Sequence, residues 1–485
     1  MKILNSLITG IKKRWSSEGG YREVLVIALP LIVSTGSWSL QHFIDRMFLT
    51  WYSPETIAAA MPAGILNFTI MSLFIGLAGY VNVFIAQYYG SGKKEMIGPV
   101  LWQSIYVSFI AGIFFLGIIP FTERIFLLVG HERAVMENEV VFFRILSMAA
   151  FPAVASSAMS GFFSGLGRTS VIMWVNLLST MVNIVLDYLL IFGNAGFPEM
   201  GMAGAGTATA MSALFSFIAY SLLIFNAENN REYRVLSGWR PRTDLFLRLV
   251  KFGLPSGIHF FIDVAGFTFF IIFIGRLGME YLAASNIAFN INTLSFMPMI
   301  GVGIAVSVLV GQNIGRNRPD LSEYCAYSGF QLAFLYLSSI GILYGAIPGI
   351  FLAPFSSNAS YNDLGRIIET ARILLRFVAA YCVFDAMNII FSSALKGAGD
   401  TSFVMKMIST ISALVLIIPT FLVIFVFNLG IYAGWTFATA YVMVLGISFL
   451  IRFRSGRWKS MKVIEESNVC LPPCIPEAPA GRLDI

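Results

Sequence analysis

Charge is what this chain has least of. Only 12% of its 485 residues are Asp, Glu, Lys or Arg, against about 25% in a soluble domain, which excludes a core wrapped in a solvated polar surface. Histidine is scarcer still, with three copies, and cysteine has four. No HExxH helix is present, and the tail pair Cys470 and Cys474 has no histidine nearby and supplies only two of the four ligands a closed zinc site needs, so no metal or other cofactor is expected. A membrane-embedded enzyme would need a nucleophile or metal constellation, and none is recognisable. No GxxxxGK[ST] loop occurs, so nucleotide hydrolysis is not supported. The net charge of +6 comes without a helix-turn-helix, zinc finger or stacking platform, and nucleic acid is not an expected partner.

In place of charge the chain has apolar length. Hydrophobic residues make up 57% of it and the mean hydropathy is +0.78, the composition of a polytopic membrane protein. About 20 apolar residues cross a bilayer as a helix. Stretches of that kind fall at 22–50, 56–88, 97–120, 139–164, 169–192, 203–226, 245–275, 281–312, 322–347, 367–394, 403–427 and 430–452. The predicted fold class is all-α, with twelve transmembrane helices in two six-helix bundles. Pro30 and Pro255 fall inside the first and seventh stretches, where neighbouring helices must satisfy the carbonyls that proline frees. No small-residue cleavage site follows the basic N-terminus, so the first stretch reads as an uncleaved span. Placing that terminus in the cytoplasm puts about 23 of the 32 Lys and Arg on the cytoplasmic side, among them Lys93, Lys94, Arg231, Arg316 and Lys459. Both termini are therefore expected to be cytoplasmic, in a bacterial cytoplasmic membrane, and the basic balance is a signature of topology.

An internal repeat runs through the chain at an offset of 225 residues. Ala28-Leu29-Pro30 falls on Gly253-Leu254-Pro255, and AQYYGSG from Ala86 falls on GQNIGRN from Gly311, with Gln87 on Gln312 and Gly90 on Gly315. A looser echo at offset 232 sets SGLGRTS from Ser164 on KGAGDTS from Lys396. An even number of spans per repeat makes the halves parallel in the membrane. The expected organisation is a cytoplasmic segment 1–20, a bundle 21–226, a cytoplasmic linker 227–244, a second bundle 245–455 and a cytoplasmic tail 456–485. Duplicated bundles favour a site between the halves, opened alternately to each side by rocking. A channel would more often show rings of charge or a filter loop.

A carboxylate at mid-membrane costs about 2.5–3.5 kcal/mol on insertion scales, so an acid inside a span is a functional candidate. Asp45 lies about three quarters of the way along the first span, with Gln41 and His42 one turn away. Arg46 follows it but points about 100° around the helix. Asn176, Asn183 and Asp187 recur on one face of the fifth span. An amide and a carboxylate one turn apart can coordinate sodium through oxygens, share a proton, or simply hold helices together. The second half carries Asp263 and Asp385, and His259 stands one turn before Asp263 as a candidate proton relay or a packing residue; His42 is its counterpart beside Asp45.

The stretches ALPLIVSTGSWSLQHFIDRMFL from Ala28, GLPSGIHFFIDV from Gly253, NIVLDYLLIFG from Asn183 and the two Gln-Gly turns resemble the multidrug and toxic compound extrusion (MATE) transporters, the NorM-type branch most closely. The resemblance spans nearly all of the chain. It implies a secondary carrier, not an enzyme, that exports drugs or organic cations as a monomer in the lipid bilayer by antiport with sodium or protons. It also implies a cation site of Asp45, Asn183, Asp187 and Thr209, with Asp263 and Asp385 as the acids of the second half. The family's branch often has Glu where this chain has Asp263. The 44 Phe, 21 Met and 8 Trp offer polarizable walls for varied cargo without singling out a contact residue. The rival within the wider superfamily is a flippase for lipid-linked saccharides, which would need cations such as Arg144, Arg276, Arg372 and Arg376 to line its cavity.

Overall fold

The computed structural model describes residues 12–356 and 364–465; Cys470, Cys474 and the rest of the tail lie outside the described residues. Within them the regular elements are helices. Eleven are long and apolar enough to cross a membrane, and a bent pair makes the twelfth span. In chain order these are α1 (Tyr21–Tyr52), α2 (Pro54–Gly90), α3 (Lys94–Leu128), α4 (Arg133–Met148 and Ala150–Gly165, bent by 48°), α5 (Thr169–Phe192) and α6 (Met202–Ile224). A short helix, Ala227–Tyr233, leads to α7 (Thr243–Gly275), α8 (Met279–Gly315), α9 (Pro319–Ala346), α10 (Gly365–Ala398), α11 (Thr401–Val426) and α12 (Ile431–Arg454). The chain is a multi-pass membrane protein with the expected all-α fold.

The differences from the expected spans have local causes. α4 starts at Arg133, not near 139, because its first turns carry Arg133, Glu137 and Asn138 and give no apolar signal. α11 contains two wide π-turns, Ser412–Ile417 and Leu422–Val426, on either side of Pro419, where a missing N–H loosens the ladder. Pro30 and Pro255 both sit inside unbroken helices.

The α1–α5 seam is polar. Thr169 Oγ1 donates to Ile27 O at 2.9 Å and Asn176 Nδ2 to Ser34 Oγ at 2.6 Å, while Tyr220 from α6 donates to Asn176 Oδ1 at 3.0 Å. In a bilayer such bonds replace the hydrophobic drive that holds soluble helices together. They fix the rotation of α1 so that its last turns face α5.

The two halves meet reciprocally: α1 packs on α8, and α2 on α7. Gly76 lies against the backbone of Gly257, and its repeat mate Gly301 lies against the backbone of Ile32. Near the helix ends Gly90 abuts Gln312 O, and its mate Gly315 abuts Gln87 O. Gln87 Nε2 then donates to Gly397 O at 3.0 Å, and Gln312 Nε2 to Gly165 O at 2.9 Å. Each contact is its partner's image under the sequence repeat, so the two motifs read as duplicated build one clasp with approximate two-fold symmetry. Only glycine permits the backbones to approach this closely. The clasp lies on the face that carries Lys93, Lys94, Arg231, Arg316 and Lys459, called here the basic face.

Candidate functional site

Along α1 the interhalf contacts reach Thr35, whose hydroxyl donates to Met297 O of α8 at 3.0 Å. Asp45 stands ten residues further on, about 15 Å along the helix. There His42 is 52% exposed and Asp45, turned toward α5, is 17% exposed. The clasp holds the halves together on the basic face, and Asp45 sits toward the opposite face.

Three of the expected residues converge. With its amide oriented to suit its neighbours, Asn183 Nδ2 donates to Asp45 Oδ1 at 2.9 Å and to Asp187 Oδ2 at 3.3 Å, and the Gln41 amide stands 3.2 Å away. Asn183 and Asp187 are fully buried. The two carboxyl groups face one another, and Asp187 Oδ1 has no hydrogen-bond partner. Two carboxylates facing one another at low dielectric repel unless a proton or a cation lies between them. Turned over about its last bond, the Asn183 amide presents oxygen to the same place. The donors are then hard oxygens only, a set that suits sodium or a proton and not a soft metal. His42 Nδ1 lies 4.0 Å from Asp45 Oδ2, close enough to act through one shift of the ring.

Two other residues are engaged elsewhere. Thr209 Oγ1 donates to Ala205 O on its own helix at 3.0 Å, and Asn176 belongs to the Ser34–Tyr220 bridge one turn or more toward the basic face. The second half gathers a separate cluster. Asp385 on α10 accepts from Asn388 Nδ2 at 3.4 Å and lies within electrostatic range of Asp263, which faces Tyr441 of α12. His259 and Asp263 both interact with Lys396, near the basic end of α10. In the sequence Lys396 marks only the start of a repeat segment, because a lysine at the end of a span looks like loop charge. Its carbonyl accepts from Tyr80 of α2 at 2.7 Å, which brings this part of α10 to the seam between the halves.

Aromatic rings bridge the two clusters. Trp38 lies 5.2 Å from the His42 ring and 5.6 Å from Phe68 of α2, and Phe68 meets Phe260 of α7 edge-on at 5.9 Å. This row crosses from one half to the other beside Asp45, and such faces attract organic cations. Trp38, Phe68 and Phe260 could not be picked from 44 Phe and 8 Trp by composition. Three of the four arginines named above lie elsewhere. Arg144 pairs with Glu123 at 2.9 Å, and Arg372 and Arg376 line a cavity with Gly345–Ile350 at the far end of α9.

A family model described as MatE matches residues 30–189 and 255–423, one match in each half. A protein of Thermotoga maritima named as a probable multidrug resistance protein NorM is 25% identical over 92% of this chain and 95% of its own length. One of the same name from Neisseria meningitidis is 26% identical over 88% and 93%. Among solved structures, an outward-facing multidrug resistance MATE transporter superposes with a TM-score of 0.83 at 20% identity, over 92% of this chain and 98% of that one. A MOP superfamily transporter of Pyrococcus furiosus, described as having a binding pocket of reverse polarity, gives 0.82 at 19% identity over the same shares.

Proposed function

Because the chain belongs to the MATE family, we propose that it is a secondary-active efflux carrier that exports organic cations or amphipathic drugs in exchange for sodium or protons. The observation that carries this reading is the Asp45–Asn183–Asp187 constellation, whose buried, unpartnered carboxylate oxygen fits a small cation. The basic face is cytoplasmic, in accord with its Lys and Arg, and the carrier is a monomer, since one chain supplies both acid clusters and the aromatic row between them. The protein sits in a bacterial cytoplasmic membrane, and residues 21–226 and 245–455 act as the two rocking bodies.

In the arrangement described, the clasp seals the cytoplasmic side while Asp45 faces outward. A cation arriving from outside binds between Asp45 and Asp187 and offsets one of their two negative charges, which lowers the cost of carrying the pair through the transition. Drug held against Trp38, Phe68 and Phe260 leaves as the halves close over the cation. Asp263 and Asp385, with His259 as a relay, form the acid set of the second half. Thr209 joins the first set only if its hydroxyl leaves the Ala205 carbonyl. One charge moved across about 100 mV supplies about 2.3 kcal/mol, and each tenfold ion gradient about 1.4 kcal/mol, so one or two ions sustain useful accumulation.

The test is extrusion of a fluorescent organic cation from proteoliposomes under a sodium gradient or a pH gradient alone. The parent responds to one of them, and Asp45→Asn and Asp187→Asn abolish the response while keeping dye binding. Equal extrusion by parent and both variants refutes the coupling role.

A further inference from the structure

On the basic face the chain does not end with α12. Trp458 is fully buried, stacked on Phe453 at 4.8 Å and donating to its carbonyl at 2.7 Å. Lys459 pairs with Glu323 at 2.5 Å, and Lys462 contacts Asn317. Residues 463–465 then cross to the first half. Val463 N donates to Gln87 Oε1 at 2.9 Å, Lys93 Nζ to Glu465 O at 3.3 Å, and Arg248 pairs with Glu465 at 3.3 Å. Gln87 thus holds both α10 and this strap.

Between the strap and the first turns of α7 lies a cavity of about 360 Å³. Three cations, Arg248, Lys251 and Lys462, line it over an apolar floor of Phe252, Val463 and Ile464. Glu465 offsets one of them. Arg248 Nη1 faces Glu465 Oε1 at 3.3 Å, while the Lys462 ammonium contacts the neutral amide of Asn317. From the cavity onward, over two turns of α7, the outward face reads Leu247, Lys251 and Leu254, with both leucines exposed, 60% and 37%. These lie at i, i+4 and i+7, one stripe of the helix. α7 has 33 residues, about 50 Å of helix against a hydrocarbon layer of about 30 Å, so its first turns stand at headgroup level. A positive, partly apolar hollow at that level, continued by exposed leucines toward the bilayer, is shaped for an anion that carries acyl chains.

We propose that the pocket between the start of α7 and strap residues 462–464 binds the phosphate headgroup of an anionic phospholipid, with its acyl chains along Leu247 and Leu254. The bound phosphate joins α7 to the strap, and through Val463 and Gln87 it reinforces the closed basic face.

The test compares the full chain with Lys251→Gln/Lys462→Gln in phosphatidylcholine nanodiscs containing increasing fractions of phosphatidylglycerol, reading the thermal midpoint. The parent midpoint rises and saturates. With about fivefold in affinity from each pocket lysine to the bound headgroup, the double variant needs about 25-fold more anionic lipid for the same rise. Lys12→Gln/Lys13→Gln, with the same loss of charge on the same face, titrates like the parent, and equal midpoints in phosphatidylcholine alone show that the variants fold. The proposal is overturned if the pocket variant titrates like the parent, if both double variants shift alike, or if inorganic phosphate in phosphatidylcholine discs reproduces the whole rise, which assigns the pocket to a soluble anion.

Discussion

Adding a single methyl group at Gly315 should unlatch the basic face. A Cβ there would stand 2.2 Å from Gln87 O, and one at Gly90 2.0 Å from Gln312 O. Both obstacles are backbone carbonyls that cannot rotate aside, so α2 and α8 must part by about 1 Å to restore ordinary contact. Overpacking of this kind costs about 1–3 kcal/mol. The strain falls on the conformation in which the helix ends touch and vanishes when they separate, so the closed form loses a factor of about 5–150 against the open one. Two features sharpen the expectation. The Gln87–Gly397 and Gln312–Gly165 bonds lie beside the clash and weaken with it, and the two sites are related by the repeat, so Gly90→Ala and Gly315→Ala should act in the same direction with similar size. Spin labels at Lys94 and Arg316 measure this by double electron–electron resonance, with Cys470 and Cys474 first replaced by serine; Cys325 and Cys382 are buried and do not interfere. The expected result is a second, longer distance that grows in both variants. Distance distributions unchanged in both, or changed in only one, would refute the symmetric clasp.

Asn183→Leu keeps the volume of the side chain but removes the amide between Asp45 and Asp187, so exchange should fall by more than tenfold in proteoliposomes, a loss of at least about 1.4 kcal/mol of stabilisation. Normal exchange would mean that the amide only packs. Trp38→Ala removes the ring beside His42 and Phe68 and should weaken equilibrium binding of planar cations by about 2- to 30-fold, with uncharged ligands of similar size less affected. Arg452→Gln leaves Asp400, only 6% exposed, without its 2.7 Å ion pair. Unfolding in detergent should show a loss of about 3–5 kcal/mol, with the proteoliposome transport rate per folded protein preserved.

Twelve apolar stretches, the basic loops and the repeat were legible because each is a local or periodic property: length against bilayer thickness, charge against topology, and one segment against its copy. Asp45 and Asp187 were legible for a related reason, since an acid in an apolar span stands out by its cost, while Asn183 was singled out by its place one turn before Asp187 and by the family resemblance. The sequence by itself could not decide which polar residues share a site. Asn176 has the same helical face and chemistry as Asn183, yet packing hands it to Ser34 and Tyr220. Thr209 looked available until its own helix took its hydroxyl. Lys396, the Trp38–Phe68–Phe260 row and the strap through Val463 depend on contacts between segments far apart in the chain. Spacing along one helix fixes which way a side chain points; only the packing of helix against helix fixes what it meets there.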